Sequence, residues 1–375
     1  MAMERISRRQ LGSLGGTAAA GVLWVPGMPK PASAEAAAAV TPLVEFGKIG
    51  GEMDCAKVLT GMWQLSGGHG YRPDKARTVR AMKDQVEAGF TTFDLAEHYG
   101  PAETITALFR KQHPELWEKS QFFTKWVPMP GDMSRKVVQA AIDERLEKMG
   151  TERLDLLQIH WWDYGSKGQY LEALGHMQDM VTEGKIRHLA LTNFDTENLK
   201  AIKDAGIKVV SNQVQYSVLD QRPAALMAPY CEKNDVKILA YGTMLGGFLS
   251  DKYVGKALDE NDFDTVSKRK YYNMIRSWGD WEQFQSLLGE MKGVADKHGV
   301  SVSNVATRWV VDQPAVAGAI VGARLGMAGK DHAPENLKVF GLKLDDEDRA
   351  RIASVTGKSK DLIAKIGDCG AEYRG

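Results

Sequence analysis

The chain has 375 residues, 43% of them apolar, enough to fill the core of one large barrel or of two smaller domains. Its 48 Lys plus Arg balance its 48 Asp plus Glu, so no basic surplus directs it to nucleic acid or to an anionic membrane. Three scattered cysteines, Cys55, Cys231 and Cys369, form neither a CxxC pair nor a metal-spaced cluster, so disulfides do not define the fold.

The N-terminus carries Arg8-Arg9, then a weakly apolar Gly/Ala-rich run to about Met28, then Ala32-Ser33-Ala34. Charged start, apolar middle and small-residue cleavage site are the order of a secretory signal, here of the twin-arginine kind. The run is too short and Gly-rich for a membrane span. This predicts a signal over residues 1–34, a linker over 35–42 and a single domain over 43–375. It also predicts export to a periplasm or an equivalent lumen, or a cytoplasmic protein if the N-terminus is not cleaved.

From Leu43 onward, short apolar runs alternate with amphipathic stretches. Glu45 to Cys55, with Gly50-Gly51, reads as a hairpin ahead of the first strand, Lys57 to Gly61. Helix 78–89 shows Val79, Met82 and Val86 at helical spacing. Strand 90–94, helix 103–110 and strand 121–125 follow, then helix 135–149 and strand 154–160. Helix 170–183, strand 186–191, helix 197–205 and strand 208–211 continue the alternation. Helix 223–234 and strand 236–241 precede a long loop from Gly246 to Trp278. Helices 281–298 and 303–311 lead to the eighth strand, 316–321. Eight such units predict an α/β fold, a (β/α)8 TIM barrel with an N-terminal β-hairpin and a C-terminal helical extension. A doubly wound open sheet is the alternative, weakened because no G-x-G-x-x-G follows the first strand.

In a barrel, chemistry sits on the loops at the strand C-termini. Asp94 ends strand two and Tyr99 follows it; Lys125 ends strand three and His160 ends strand four. Each step is about one βα unit, so the four converge on one rim. Carbonyl reduction places charge on oxygen and needs an acid. A Tyr hydroxyl with a pKa near ~10 is a poor donor at neutral pH. A nearby ammonium, Lys125 held by Asp94, is expected to lower it, and His160 to orient the carbonyl. Trp63, Trp126 and Trp161 lie at strand ends and read as an aromatic pocket for an apolar or planar carbonyl compound. Trp162 reads equally as pocket wall or as packing. The loop 246–278 is long enough for a lid, its charges mostly solvated. The tail after Ile366 could cover the mouth.

Several segments occur in one order. They are Gly89-Phe-Thr-Thr-Phe-Asp-Leu-Ala-Glu-His-Tyr-Gly-Pro-Ala-Glu103, Phe123-Thr-Lys-Trp126, Leu157-Gln-Ile-His160 and Gly184-Lys-Ile-Arg187. Leu191-Thr-Asn-Phe194, Asn212-Gln-Val-Gln-Tyr216 and Ile320-Val-Gly-Ala-Arg324 complete the series. Together they resemble the aldo/keto reductase family from about Lys57 to Asn336. The resemblance implies Tyr99 as acid, Asp94 and Lys125 as its tuners and His160 beside the carbonyl. It implies that Thr192, Asn193 and Gln213 bind a nicotinamide carboxamide and that Tyr216 stacks on the ring. The stretch after strand seven, with Gly242, Leu245 and Gly247, would approach the pyrophosphate. Arg324, His332, Glu335 and Asn336 would take the adenosine 2′-phosphate and adenine, which favours NADP(H) over NAD. Leu325 to Asp331 is longer than the family pattern, and Lys330 within it is a further phosphate candidate.

The implied partners are a small carbonyl substrate, no nucleic acid and no membrane span in the mature chain. Two other readings stand beside this one. A non-catalytic NADP-binding sensor has no need of Tyr99 beside Lys125. A barrel metallohydrolase using Asp94, His98 and His160 lacks a compact ligand pair, so no metal site is expected.

Overall fold

The computed structural model describes residues 43–70, 72–329 and 332–374. The signal and linker expected over residues 1–42, and Lys330, lie outside them.

The hairpin is present as β1 (Phe46–Ile49) and β2 (Met53–Ala56), antiparallel, with Ile49 opposite Met53. The three-residue loop Gly50-Gly51-Glu52 joins them, and Gly50 and Gly51 both take positive φ, 61° and 79°, which glycine adopts without strain. Eight parallel strands then close a barrel: β3 (Val58–Gly61), β4 (Thr92–Asp94), β5 (Gln121–Trp126), β6 (Leu154–His160), β7 (Ile186–Thr192), β8 (Val209–Gln215), β9 (Lys237–Tyr241) and β10 (Val316–Gly322), with β10 paired to β3. The open-sheet alternative is thereby set aside.

Helices cover the outside: α1 (Lys75–Glu87), α2 (Ala102–Gln112), α3 (Pro114–Trp117), α4 (Arg135–Met149), α5 (Lys167–Thr182), α6 (Thr196–Asp204), α7 (Arg222–Ala225) and α8 (Met227–Lys233). The helix expected over 223–234 is broken at Leu226, which leaves helical geometry with φ −126° and ψ −49°. The stretch expected as a long loop contains a helix, α9 (Val266–Trp278). Thr265 caps it by accepting from the Lys268 N–H, and Tyr271, Met274, Ile275 and Trp278 form its buried stripe. Helices α10 (Trp281–His298) and α11 (Val302–Val311) precede β10. The C-terminal extension consists of α12 (Ala333–Gly341), α13 (Asp346–Thr356) and α14 (Leu362–Ile366).

Two apolar clusters hold this together. The larger lies between strands and helices. The smaller fills the barrel's lower interior, where Ile49, Met53 and Cys55 of the hairpin meet Leu59, Phe123, Leu156, Ala190 and Leu239. The hairpin therefore closes the end of the barrel opposite the strand C-termini. Along each strand, alternate side chains point inward, so the register that puts Phe123 in this plug puts Lys125 inside as well.

Candidate active site

The inward positions nearest the strand C-termini are polar: Asp94 on β4, Lys125 on β5, Gln158 and His160 on β6, Thr192 on β7 and Gln213 on β8. Lys125 is 1% exposed and Asp94 3%. The Lys125 Nζ donates to both Asp94 carboxylate oxygens, at 2.7 and 2.8 Å, and to the Leu95 carbonyl at 2.9 Å. Asp94 Oδ2 also accepts from Gln213 Nε2 at 2.7 Å and from Gln158 Nε2 at 3.3 Å. Gln158 Oε1 accepts in turn from Gln213 Nε2 at 3.0 Å and from the Thr192 hydroxyl at 3.3 Å. A buried ammonium is tolerable only with such partners. Burial lowers the Lys125 pKa, and Asp94 opposes the shift.

Tyr99 follows β4, with its ring 4.8 Å from the Lys125 Nζ. Its hydroxyl is held well above the usual tyrosine range by burial and then by the charge of Asp94. This reverses the expected lowering by Lys125. The three hydrogen bonds of Lys125 go to Asp94 and Leu95, so its charge is spent on the carboxylate. Tyr99 is thus a neutral phenol that keeps its proton at neutral pH.

His160, 6% exposed, sits beside it with its pKa pushed well below the usual value by burial and then by Lys125. Its Nε2 lies 3.1 Å from Asn193 Nδ2, and Asn193 Oδ1 accepts from the Tyr241 hydroxyl at 2.9 Å. Asn193 thus bridges the His160 ring and the Tyr241 hydroxyl, whose single proton it shares with Glu372 Oε1 at 3.1 Å. Asn193 achieves this from a left-handed backbone, φ 59°, one of the few side chains that adopt it readily. His98 is held at about 4 by burial and then by Lys125.

These groups form one end of a cavity of about 850 Å³. Trp63, Thr192, Asn193, Gln213, Gly242 and Gly247 line it, and Arg324, His332, Glu335 and Asn336 form its far end. Four expected residues are placed elsewhere. Trp126, 6% exposed, packs in the outer core. Trp161 is fully buried against Tyr170 and donates its indole N–H to the Asp163 carbonyl. Tyr216 is fully buried edge-on to Trp309, 6.0 Å between centroids. Leu245 is buried with φ 49°, turned from the cavity.

For three of these the reason is parity: Trp126, Trp161 and Tyr216 each stand one residue beyond an inward position, Lys125, His160 and Gln215. Their neighbours take the places expected of them. Trp162 lines the cavity, 4.9 Å from the His160 ring, and Tyr241 lines it at the end of β9.

Other lining groups were missed. Lys252, Lys268, Lys270 and Tyr271, expected on a solvated lid, face the cavity from the turn Asp251–Tyr253 and from α9. The buried stripe of α9 at 271, 274, 275 and 278 was the available signal. The tail does reach the mouth: Tyr373 lines the cavity, and Arg374 donates to the Trp161 and Asn193 carbonyls at 2.8 Å.

The cavity's middle is shaped for an anionic ligand. A Cβ on Gly242 would meet the Tyr271 hydroxyl at 2.8 Å, and one on Gly246 would meet its ring at 3.0 Å, so only glycine leaves that path open. Gln64 Oε1, His69 Nδ1 and Tyr253 Oη are buried there without protein partners. With Arg324 at one end and amides at the other, and with His69 Nδ1 and Tyr253 Oη able to donate, the lining fits a dinucleotide phosphate chain. Among the described residues, no group of three or more His, Cys, Asp or Glu could hold a metal ion, and no helix is long and apolar enough to cross a membrane.

The model of the aldo/keto reductase family matches residues 57–356. Flagellar radial spoke protein 5 of Chlamydomonas reinhardtii is 36% identical over 180 residues, 43% of this chain and 34% of that protein, so the match spans about a third of that protein's length. The aldo-keto reductase YhdN of Bacillus subtilis is 23% identical over 81% of this chain and 90% of its own. The crystal structure of an aldo-keto reductase from Klebsiella pneumoniae in complex with NADPH superimposes with a TM-score of 0.64 at 20% identity, over 84% of this chain and 95% of that one. With four-fifths of its length matched by the family model, on a closed (β/α)8 barrel, the chain belongs to the aldo/keto reductase family.

Proposed function

We propose that the protein is an NADP(H)-dependent carbonyl reductase, interconverting an aldehyde or ketone and its alcohol. The observation that carries this reading is the placement of Tyr99 and His160 beside the buried Asp94–Lys125 pair, at one end of a cavity of about 850 Å³ whose far end holds Arg324. Asn193, Gln213 and Tyr241 would hold the nicotinamide. Gly242 and Gly247 would admit the pyrophosphate, and Arg324, His332, Glu335 and Asn336 would take the adenosine 2′-phosphate and adenine. When bound, the cofactor supplies the hydride. Tyr99 donates its proton to the carbonyl oxygen, and Lys125, 4.8 Å from its ring and tied to Asp94, holds the phenol in place. His160 fixes the approach of the oxygen from the opposite side. The NADPH complex of the Klebsiella relative supports the cofactor assignment, and Arg324 at the cavity end supports the 2′-phosphate.

The test is NADPH absorbance with a panel of aldehydes and ketones, beside calorimetric titration of NADPH and NADH. Turnover lost in Tyr99→Phe with NADPH binding intact supports the reading. Tight NADPH binding with no carbonyl reduced would leave a non-catalytic dinucleotide sensor. Equal affinity for NADH overturns the cofactor preference. Residues 1–34 are proposed as a twin-arginine export signal, which a native N-terminus at Met1 or Ala2 in mass spectrometry would refute.

A further inference from the structure

The cations lining the cavity are not equivalent. Lys252 and Lys268 are matched by Asp262 and Asp264, at 3.5 and 2.9 Å. Lys270 faces the same cavity without a carboxylate in ion-pair range among the described residues. Its Nζ sits in a tyrosine cage, 4.4 Å from the Tyr373 ring, 4.7 Å from Tyr241 and 5.3 Å from Tyr271. It donates to the Tyr373 hydroxyl, and its remaining protons have no protein acceptor among the described residues. Aromatic faces steady a cation without neutralising it, so the charge remains available to an anion.

The cage stands next to the reacting end. The Tyr373 ring is 5.7 Å from His160 and 5.2 Å from Trp162, and the charge of Lys270 is among those that lower the His160 pKa. The segment that supplies Tyr373 is fixed on both sides. Glu372 is held by the Arg222 guanidinium at 3.0 Å, and Arg374 by the two carbonyls already described. Glu372 is thereby paired, leaving the ammonium to a ligand.

We propose that Lys270 and Tyr373 form an anion subsite for the substrate, which is an aldehyde or ketone carrying a carboxylate about one aromatic ring's width from its carbonyl. This rests on the reductase reading above. With the carbonyl between Tyr99 and His160, a planar spacer lies along Trp162 and the carboxylate meets the Lys270 ammonium and the Tyr373 hydroxyl. The same cation could instead serve a cofactor phosphate, and the experiment separates the two sources.

The probes are 4-carboxybenzaldehyde and 4-methylbenzaldehyde, similar in shape and different in charge, reduced with saturating NADPH. In the full chain, kcat/KM is expected to favour the carboxylate. In Lys270→Met the ratio of the two values is expected to fall by about 10- to 100-fold, the range for one charge-assisted hydrogen bond. Tyr373→Phe, which keeps the cage and removes one donor, is expected to lower the ratio by about 3- to 10-fold. It serves as the second variant should Lys270→Met not fold.

A ratio unchanged in both variants overturns the subsite. If the NADPH dissociation constant rises with that ratio unchanged, the ammonium belongs to a cofactor phosphate. If the wild-type protein reduces no carbonyl at all, the reductase reading has failed, and calorimetric titration of benzoate into the NADP⁺-bound protein still decides the subsite. Binding that disappears in Lys270→Met upholds it, and no binding to the wild type overturns it.

Discussion

On β5, Phe123 faces the hairpin plug, while Lys125, two residues on, faces the cavity; on β6, Leu156 stands below Gln158 and His160, and on β7 Ala190 stands below Thr192. The two ends of the barrel thus share strands, register and inward parity, yet one is apolar and covered while the other is polar and open to a cavity. The lower end is stabilised by burial and close packing alone, so its side chains need only shape. The upper end buries a charge pair and two amides that must satisfy one another, so its side chains need identity. Stability and chemistry should therefore separate along each strand.

Asp94 is where that separation breaks, and it carries the largest expected effect. Asp94→Ala leaves Lys125 buried without its partner, a loss of about 3–5 kcal/mol in stability. It also removes the group that fixes Lys125 beside Tyr99. Chemical denaturation together with NADPH turnover checks both losses; a variant that loses only one would show that the pair serves a single purpose. Tyr99→Phe should lower kcat by about 10²- to 10⁴-fold with the melting temperature almost unchanged. At the other end, Phe123→Ala should cost about 3–5 kcal/mol of stability while the remaining folded fraction keeps its KM. If KM rises with the cavity, the plug is supporting the site above it and the two ends are not independent.

Much of this arrangement was legible in the sequence. Strands 154–160 and helix 135–149 stand at the boundaries that apolar periodicity predicts. Asp94, Lys125 and His160 were legible because a polar residue closing an apolar strand has few places to go except the rim. What was not legible followed from one degree of freedom, the face on which a strand-end aromatic falls. Trp126, Trp161 and Tyr216 lie at strand ends, as expected, but on the outward face, where helices cover them. Counting by two from Lys125, His160 and Gln213 would have placed them, since Gln215 and not Tyr216 shares the inward parity. Helix α9 was hidden differently. Its charged and tyrosine-rich start reads as solvated, and its function is to carry Lys270 and Tyr271 into the cavity.

A smaller effect follows from protonation at the upper end. The unfolded chain protonates its imidazoles near their usual 6.5, while folded His160 stays neutral far below that value and folded His98 to about 4. Below pH 6.5 the unfolded state therefore binds more protons, and stability falls as the pH drops from there toward the folded values. His160→Gln should flatten the decline of melting temperature between about pH 6.5 and 5, while Ile49→Val in the plug, which titrates nothing, should shift the curve without changing its slope. An unaltered slope in His160→Gln would mean that other groups carry the acid sensitivity.

The smallest expected effect tests the outward face directly. The Tyr216 hydroxyl is buried beside Trp309 without a hydrogen-bond partner, and burial pushes its pKa up. An unsatisfied buried hydroxyl costs about 1–3 kcal/mol relative to a satisfied one, so its removal takes nothing from the fold. Tyr216→Phe should be neutral or stabilise by up to about 1 kcal/mol, with NADPH affinity unchanged, because the ring faces α11 and not the cavity. Tyr241→Leu, on the inward parity, should weaken NADPH binding and disturb Asn193, which Tyr241 holds at 2.9 Å. Paired titrations of Tyr216→Leu, which removes the ring, and Tyr241→Leu settle which tyrosine the nicotinamide meets. Weakened binding in Tyr216→Leu with Tyr241→Leu unaffected would reverse the assignment, and with it the rule that inward parity alone selects the residues of the upper end.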